Sequence, residues 1–321
     1  MLPSFNVVKQ ANIWHAGSSP RPVNSIVNTN TDLRLQESNG FLLNVAGAPG
    51  YYVDSAVYDR DRIAVASRRA TFSNPIIPSP SADPWMLFHE GFYYYCESRN
   101  QSSIHIRKAR TLNEIGYDEG EQIWEAPMVG NNSKAVWAPE LHRLNGKWYV
   151  YYAADDGLNE NHRMWVLESL GENPQGGYRC RGCIETQGWA IDGTVLEIGD
   201  QMYFLWSGWP GKVNGQQNLY IAPMSNPWTI SGERTLLAAP ERDWECVDMA
   251  ICEGPQVLQR NGKIFVIYSA SGSWTVDYCL AMLALKGGDP LDASNWENRG
   301  RIFETVPEVL GVGHCSFVTS A

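Results

Sequence analysis

Four times along this chain a carboxylate beside a turn is followed, within about ten residues, by a short aromatic strand. Asp83-Pro84 precedes Phe92-Tyr93-Tyr94-Tyr95, and Glu140 precedes Trp148-Tyr149-Val150-Tyr151-Tyr152. Asp192-Gly193 precedes Tyr203-Phe204-Leu205-Trp206, and Glu253-Gly254 precedes Phe265-Val266-Ile267-Tyr268. The steps are 57 residues from Asp83 to Glu140, 52 from Glu140 to Asp192 and 61 from Asp192 to Glu253. A further 61 residues lead to His314, in Gly311-Val312-Gly313-His314. A strand-built period near 50 residues is the signature of propeller blades. Blades surround an axis, so equivalent positions far apart in sequence meet at one place.

Between the acids, strands of Val, Ile, Tyr, Phe and Trp alternate with turn pairs such as Asn145-Gly146, Gly199-Asp200, Asn226-Pro227 and Asn261-Gly262. The strands at 149–152 and 265–268 are almost continuously apolar, as expected of strands covered on both faces. No amphipathic helix interrupts the series. The fold expected for residues 71–321 is therefore all-β, a five-bladed β-propeller. Its fifth unit, taken to begin near Arg301-Ile302-Phe303, is incomplete at the C-terminus. Residues 1–70 carry polar runs around Asn24, Asn28 and Asn30, with strands expected near 41–45 and 51–53. They read as an arm or appendage that either packs on the propeller or supplies the missing strands of its last blade.

Composition narrows the function classes. At 44% hydrophobic and 19% charged, 321 residues can bury a large core. A net charge of −10, with no basic run, argues against nucleic acid or an anionic membrane as partner. No stretch is long and apolar enough for a transmembrane helix, and no signal-peptide pattern opens the chain, which leaves localisation open between extracellular and cytoplasmic. Cys180 and Cys183 form a C-x-x-C with no second pair to complete a zinc site, so a local disulfide or two buried thiols is the expectation. No glycine-rich phosphate loop opens a helix. Thirteen Trp and fifteen Tyr in an acidic chain suit a neutral polysaccharide, whose sugar faces stack on flat rings.

Any one of Asp83, Asp192 and Glu253 alone would read as turn chemistry. Three acids at equivalent blade positions would crowd at the axis, where mutual repulsion raises the pKa of the least solvated. That is the arrangement glycoside hydrolysis uses, with one carboxyl protonated as general acid and another ionised as general base.

Residues 71–321 resemble glycoside hydrolase family 43, the five-bladed propeller arabinofuranosidases and xylosidases. The resemblance rests on Ala82-Asp83-Pro84-Trp85, Trp137-Ala138-Pro139-Glu140, Ile191-Asp192-Gly193-Thr194, Glu253-Gly254-Pro255 and Gly313-His314, in order and at blade spacing. It implies Asp83 as general base, Glu253 as general acid and Asp192 as the third acid, which orients Glu253 and raises its pKa. It implies inversion, with acid and base roughly 6.5–9.5 Å apart. Trp137, Trp85, Glu140 and Trp209 become candidates for the sugar-binding wall, with packing between blades as the alternative. No cofactor is required for the chemistry. The resemblance also implies a structural Ca²⁺ near His314 on the axis, its shell completed mainly by water, against the alternative of a hydrogen-bonded core histidine. The implied activity is exo-acting α-L-arabinofuranosidase on arabinan or arabinoxylan. The alternatives are β-xylosidase and a non-catalytic glycan-binding propeller.

Overall fold

The computed structural model describes residues 5–9 (as backbone), 74–77, 81–307 and 309–319. The arm expected over residues 1–70, with its strands at 41–45 and 51–53, lies outside the described residues apart from one strand, β1 (Phe5–Lys9). Among the described residues all regular structure is β except four short 3₁₀ turns.

The strands group into antiparallel blades. Blade 1 is β2 (Trp85–His89), β3 (Phe92–Arg99), β4 (Ser103–Ala109) and β5 (Glu121–Glu125). Blade 2 is β6 (Lys134–Leu144), β7 (Lys147–Asp155), β8 (Arg163–Ser169) and β9 (Tyr178–Cys183). Blade 3 is β10 (Ala190–Ile198), β11 (Gln201–Gly208) and β12 (Gln216–Asn226), with β13 (Thr229–Ile230) and β14 (Thr235–Ala238) both on β12. Blade 4 is β15 (Ala250–Arg260), β16 (Lys263–Ala270), β17 (Cys279–Leu285) and β18 (Trp296–Phe303). A two-residue parallel contact, Gln216 to Ala250 and Gln217 to Ile251, ties blades 3 and 4.

The last blade departs from the sequence reading. Arg301-Ile302-Phe303 is not its start but the outer strand of blade 4, paired with β17. The fifth blade consists, among the described residues, of β19 (Cys315–Thr319) and β1, antiparallel from Phe5 opposite Thr319 to Lys9 opposite Cys315. The N-terminal segment thus supplies a strand to the C-terminal one.

Five apolar clusters fill five seams. Ile104, Val150 and Tyr152 lie between blades 1 and 2; Tyr151, Phe204 and Trp206 between 2 and 3; Leu205, Tyr268 and Leu283 between 3 and 4. Cys315 and Phe317 pack on Phe265 and Ile267 of blade 4, and Val318 packs on Met86, Tyr93 and Tyr95 of blade 1. A fully buried Val, Leu, Ile or Phe contributes roughly 1.5–3 kcal/mol relative to exposure, so every seam, including both sides of the small fifth blade, is held by apolar burial. The near-continuous apolar runs in β7 and β16 follow from this, because a central strand has a neighbouring blade on each face.

Cys180 and Cys183 are free and exposed on the edge strand β9, which corrects the expectation of a local disulfide or buried thiols. Among the described residues no helix is long and apolar enough to cross a membrane.

Candidate active site

The inner strand of each blade carries an irregularity at or just before its start, and that of blade 2 carries a second one at Ala135. Residues Asp83, Ala138, Asp192, Gly254 and His314 all have left-handed backbone, with φ of 51°, 41°, 55°, 53° and 45°. In blades 2, 3 and 4 the ladder slips there, between Trp137 and Glu140, between Ile191 and Thr194 and between Glu253 and Gln256. Such a bulge re-aims one side chain out of the sheet's alternation. Asp and His are among the non-glycine residues that tolerate this conformation best, so the chemistry-bearing residue types are also the ones the backbone favours. Two glycines are demanded by close approach. A Cβ on Gly193 would stand 2.3 Å from Phe204 Cζ, and one on Gly313 would stand 2.0 Å from Tyr278 Cε1.

The bulges bring Asp83, Asp192, Glu253 and His314 into one electrostatic unit. His314 Nδ1 lies 3.2 Å from Asp83 Oδ1. The His314 backbone N–H donates to Ser269 Oγ at 2.7 Å. Asp192 Oδ2 accepts the Gly254 N–H at 3.0 Å, which ties the third acid to the residue after Glu253. Tyr278 donates its hydroxyl to Glu253 Oε1 at 2.8 Å. Asp192 and Glu253 are buried, whereas the Asp83 side chain is 38% exposed.

Burial separates the acids chemically. Desolvation first, then the charge of Asp192, pushes the Glu253 carboxyl up to about 8, against the smaller opposing effect of the Tyr278 hydrogen bond. Desolvation raises Asp192 to about 6, with His314 opposing and Asp83 adding. Burial pulls the His314 imidazole down, but Asp83, Asp192, Glu253 and Glu140 together outweigh it and hold it above its ordinary value. The site therefore holds a buried, proton-bearing glutamic acid and a partly solvated aspartate within one charge network.

The remaining candidates make other contacts. Glu140 sits two residues beyond its left-handed Ala138, so it occupies the position of Thr194 and Gln256, one step further along the inner strand. It accepts N–H donors from His142 Nε2 at 2.9 Å and from Gln256 Nε2, and so braces blade 2 against blade 4. Trp85 donates Nε1–H to the Leu141 carbonyl at 2.7 Å and packs on His142 at 4.5 Å in the seam between blades 1 and 2, half-buried beside a small cavity. Trp209 is 3% exposed and stacked on Trp189 at 4.7 Å and 10°, so its ring has no free face for a sugar. Trp137 is half-buried beside a second cavity, stacked on His162 at 4.1 Å. Tyr278 and Ser269 escaped the sequence reading. Ser269 ends a recognisable strand, but Tyr278 lies in a loop without a motif.

A Ca²⁺ near His314 would have to draw most of its ligands from water. Ca²⁺ takes six to eight oxygen ligands. Among the described residues no three His, Cys, Asp or Glu side chains converge as a ligand set.

A propeller whose axis gathers a protonated glutamic acid, a second buried acid and a solvated aspartate defines a glycoside hydrolase. The family model "Glycosyl hydrolases family 43" matches residues 72–321, and the chain belongs to that family. It is 36% identical over 238 residues to an extracellular exo-α-(1→5)-L-arabinofuranosidase of Streptomyces chartreusis, covering 72% of each chain. To a protein of the same description from Streptomyces avermitilis it is 36% identical over 267 residues, 80% of this chain and 55% of that one. The crystal structure of an α-L-arabinofuranosidase from Lactobacillus brevis superimposes with a TM-score of 0.72 at 35% identity, covering 76% of this chain and 81% of that one.

Proposed function

We propose that this chain is an exo-acting, inverting α-L-arabinofuranosidase that removes terminal arabinofuranosyl units from arabinan or arabinoxylan outside the cell. The observation that carries the reading is the pair of buried acids, with Glu253 raised to about 8 beside Asp192 and across the network from half-exposed Asp83. The names of the similar proteins supply the sugar, the exo action and the extracellular setting.

The mechanism follows from the charges. Glu253 is protonated at neutral pH and gives its proton to the glycosidic oxygen as the bond from the anomeric carbon to that oxygen breaks. Asp83 takes a proton from a water, whose oxygen forms the new bond to the anomeric carbon on the opposite face, so the configuration inverts. His314 holds Asp83 in place from one side, leaving its exposed part toward water. Asp192 keeps Glu253 in its acid form and fixes the backbone next to it through Gly254.

The experiment measures kcat and KM of the purified chain on 4-nitrophenyl α-L-arabinofuranoside, on the corresponding β-D-xyloside and on arabinobiose, with the anomer released followed by NMR. Turnover of the arabinosides with inversion is expected. Preference for the xyloside would replace the reading with β-xylosidase. No turnover by a folded chain would leave a glycan-binding propeller. In Glu253→Gln, cleavage of arabinobiose should fall about 10²–10⁴-fold. The nitrophenyl substrate should suffer less, since nitrophenolate leaves with little help from an acid.

A further inference from the structure

An acid that protonates the glycosidic oxygen must come within roughly 2.6–3.2 Å of it, so the departing sugar lies beside the residue that holds the proton. Glu253 therefore directs attention to its own blade. The site residues stand at or just before the starts of the inner strands, which defines the catalytic face. In an antiparallel blade the start of the first strand and the loop between the second and third strands lie at the same end. The loop 271–278, between β16 and β17, is thus on the catalytic face of the blade that carries the acid.

This loop is fastened to the acid cluster from both sides. At its root Ser269 pairs with Glu253, and the Ser271 N–H donates to the Ile251 carbonyl at 3.2 Å. At its end Tyr278 donates to Glu253 Oε1 at 2.8 Å. Between them the Val276 carbonyl accepts the Gly311 N–H at 3.2 Å, in the segment that leads into His314. Trp274 lies midway along the loop. The chain from Trp274 to Tyr278 spans at most about 14 Å even when fully extended, which keeps Trp274 near the acid.

Trp274 is 38% exposed, more than any other tryptophan among the described residues. It is nonetheless fixed. Its Nε1–H donates to Asp248 Oδ2. Its ring lies against Gly272, where a Cβ would stand 2.7 Å from Trp274 Cε2. A ring held this way loses little freedom when a ligand stacks on it. Asp248 is exposed too, and its Oδ1 accepts no hydrogen bond among the described residues. An indole beside a carboxylate matches a sugar, which offers an apolar face to the ring and hydroxyls to the acceptor. Neither residue takes part in the chemistry derived above.

We propose that Trp274 is the stacking platform for the arabinofuranosyl unit on the leaving-group side of the scissile bond, and that Asp248 accepts a hydroxyl of that unit. The inference rests on the arabinofuranosidase reading above. One loop then serves both partners of the proton transfer, with Tyr278 holding the acid and Trp274 receiving the sugar that the acid releases.

The test compares kcat/KM on arabinobiose with kcat/KM on methyl α-L-arabinofuranoside, whose leaving group has no ring, for wild type, Trp274→Ala, Trp274→Phe and Asp248→Ala. Both substrates release a poor leaving group, so both need the acid. The ratio of the two constants should fall about tenfold in Trp274→Ala, the worth of one good contact, and by a lesser factor in Asp248→Ala. Trp274→Phe keeps an aromatic plane and should retain most of the ratio. A tryptophan that only supported the loop would act through Tyr278 and Glu253, and its loss would lower both constants alike. An unchanged ratio, or equal losses on both substrates, thus overturns the proposal while leaving the catalytic reading intact. If wild type hydrolyses neither substrate, the catalytic reading fails, and calorimetric titration with arabinobiose decides the platform independently. Binding weakened about tenfold in folded Trp274→Ala supports it, and equal binding, or none, ends it.

Discussion

Blades 2 and 4 each place a glutamate at a bulged inner strand, and the two come to opposite uses. Glu253 stands one residue before its left-handed residue, Gly254, and shares one network with Asp192, His314 and Asp83. Glu140 stands two residues after its own, Ala138, and is spent on Gln256 and His142. The residue type and the strand are alike. The offset from the bulge decides whether the carboxyl meets other carboxyls, which raise its pKa, or N–H donors, which hold it as a brace.

The strongest way to break this comparison is to neutralise both. Glu253→Gln should remove most turnover of arabinobiose and yet leave a well-folded chain, whereas Glu140→Gln should act first on stability. A glutamine at 140 can accept only one of the two N–H donors it now faces, so unfolding in urea should show a loss of about 1–3 kcal/mol. Glu253→Gln should also change the pH dependence of melting. Glu253 is raised in the fold, so its contribution is fully present below the unfolded value of about 4.3 and is lost as pH rises through about 8. Glu253→Gln should therefore melt above wild type at pH 8 and close to it at pH 4. Turnover lost equally in both variants, or Glu253→Gln melting lower at pH 8, would refute the division of roles.

Gly313→Ala is the next largest. Its Cβ would drive into the Tyr278 ring, which holds Glu253 and has no counterpart at Glu140. A loss of about 1–3 kcal/mol is expected from overpacking, with kcat reduced alongside. Stability lost with kcat untouched would show that Tyr278 does not position the acid.

The smallest is Tyr278→Phe. The hydroxyl works against the raised pKa of Glu253, so its removal should move the alkaline limb of the kcat/KM profile to higher pH. A limb that stays or moves down would mean that another group sets it.

Much of this was legible from sequence because the signals were local. Tyr149 to Tyr152 and Phe265 to Tyr268 announced central strands by being apolar on both faces, and the steps of 57, 52 and 61 residues through Asp83, Glu140, Asp192 and Glu253 announced the blades. The misreadings came from features that periodicity cannot carry. Ala138 adopts left-handed backbone although alanine gives no hint of it, so Glu140 was aligned with the acids when it belongs two positions on. Arg301-Ile302-Phe303 resembles a strand start but pairs backward with β17, and register is decided by a partner distant in sequence. Trp85, Trp137 and Trp209 are chemically identical in a sequence. Trp209 is buried against Trp189, whereas Trp85 and Trp137 are half-buried, each beside a histidine ring, a difference of packing that the sequence does not carry.

The last blade has a consequence for the order in which the enzyme comes into being. Met86 N–H donates to Ser316 Oγ across 230 residues, and Asp83 meets His314 over a similar span. Contacts this distant in sequence close a large loop, which makes them entropically late events in folding. A nascent chain can finish blades 1 to 4, with Glu253 and Asp192 already adjacent, and still lack His314, the partner of Asp83. Hydrolytic competence should thus arrive at ring closure in one step, after most of the protein has already become resistant to proteases.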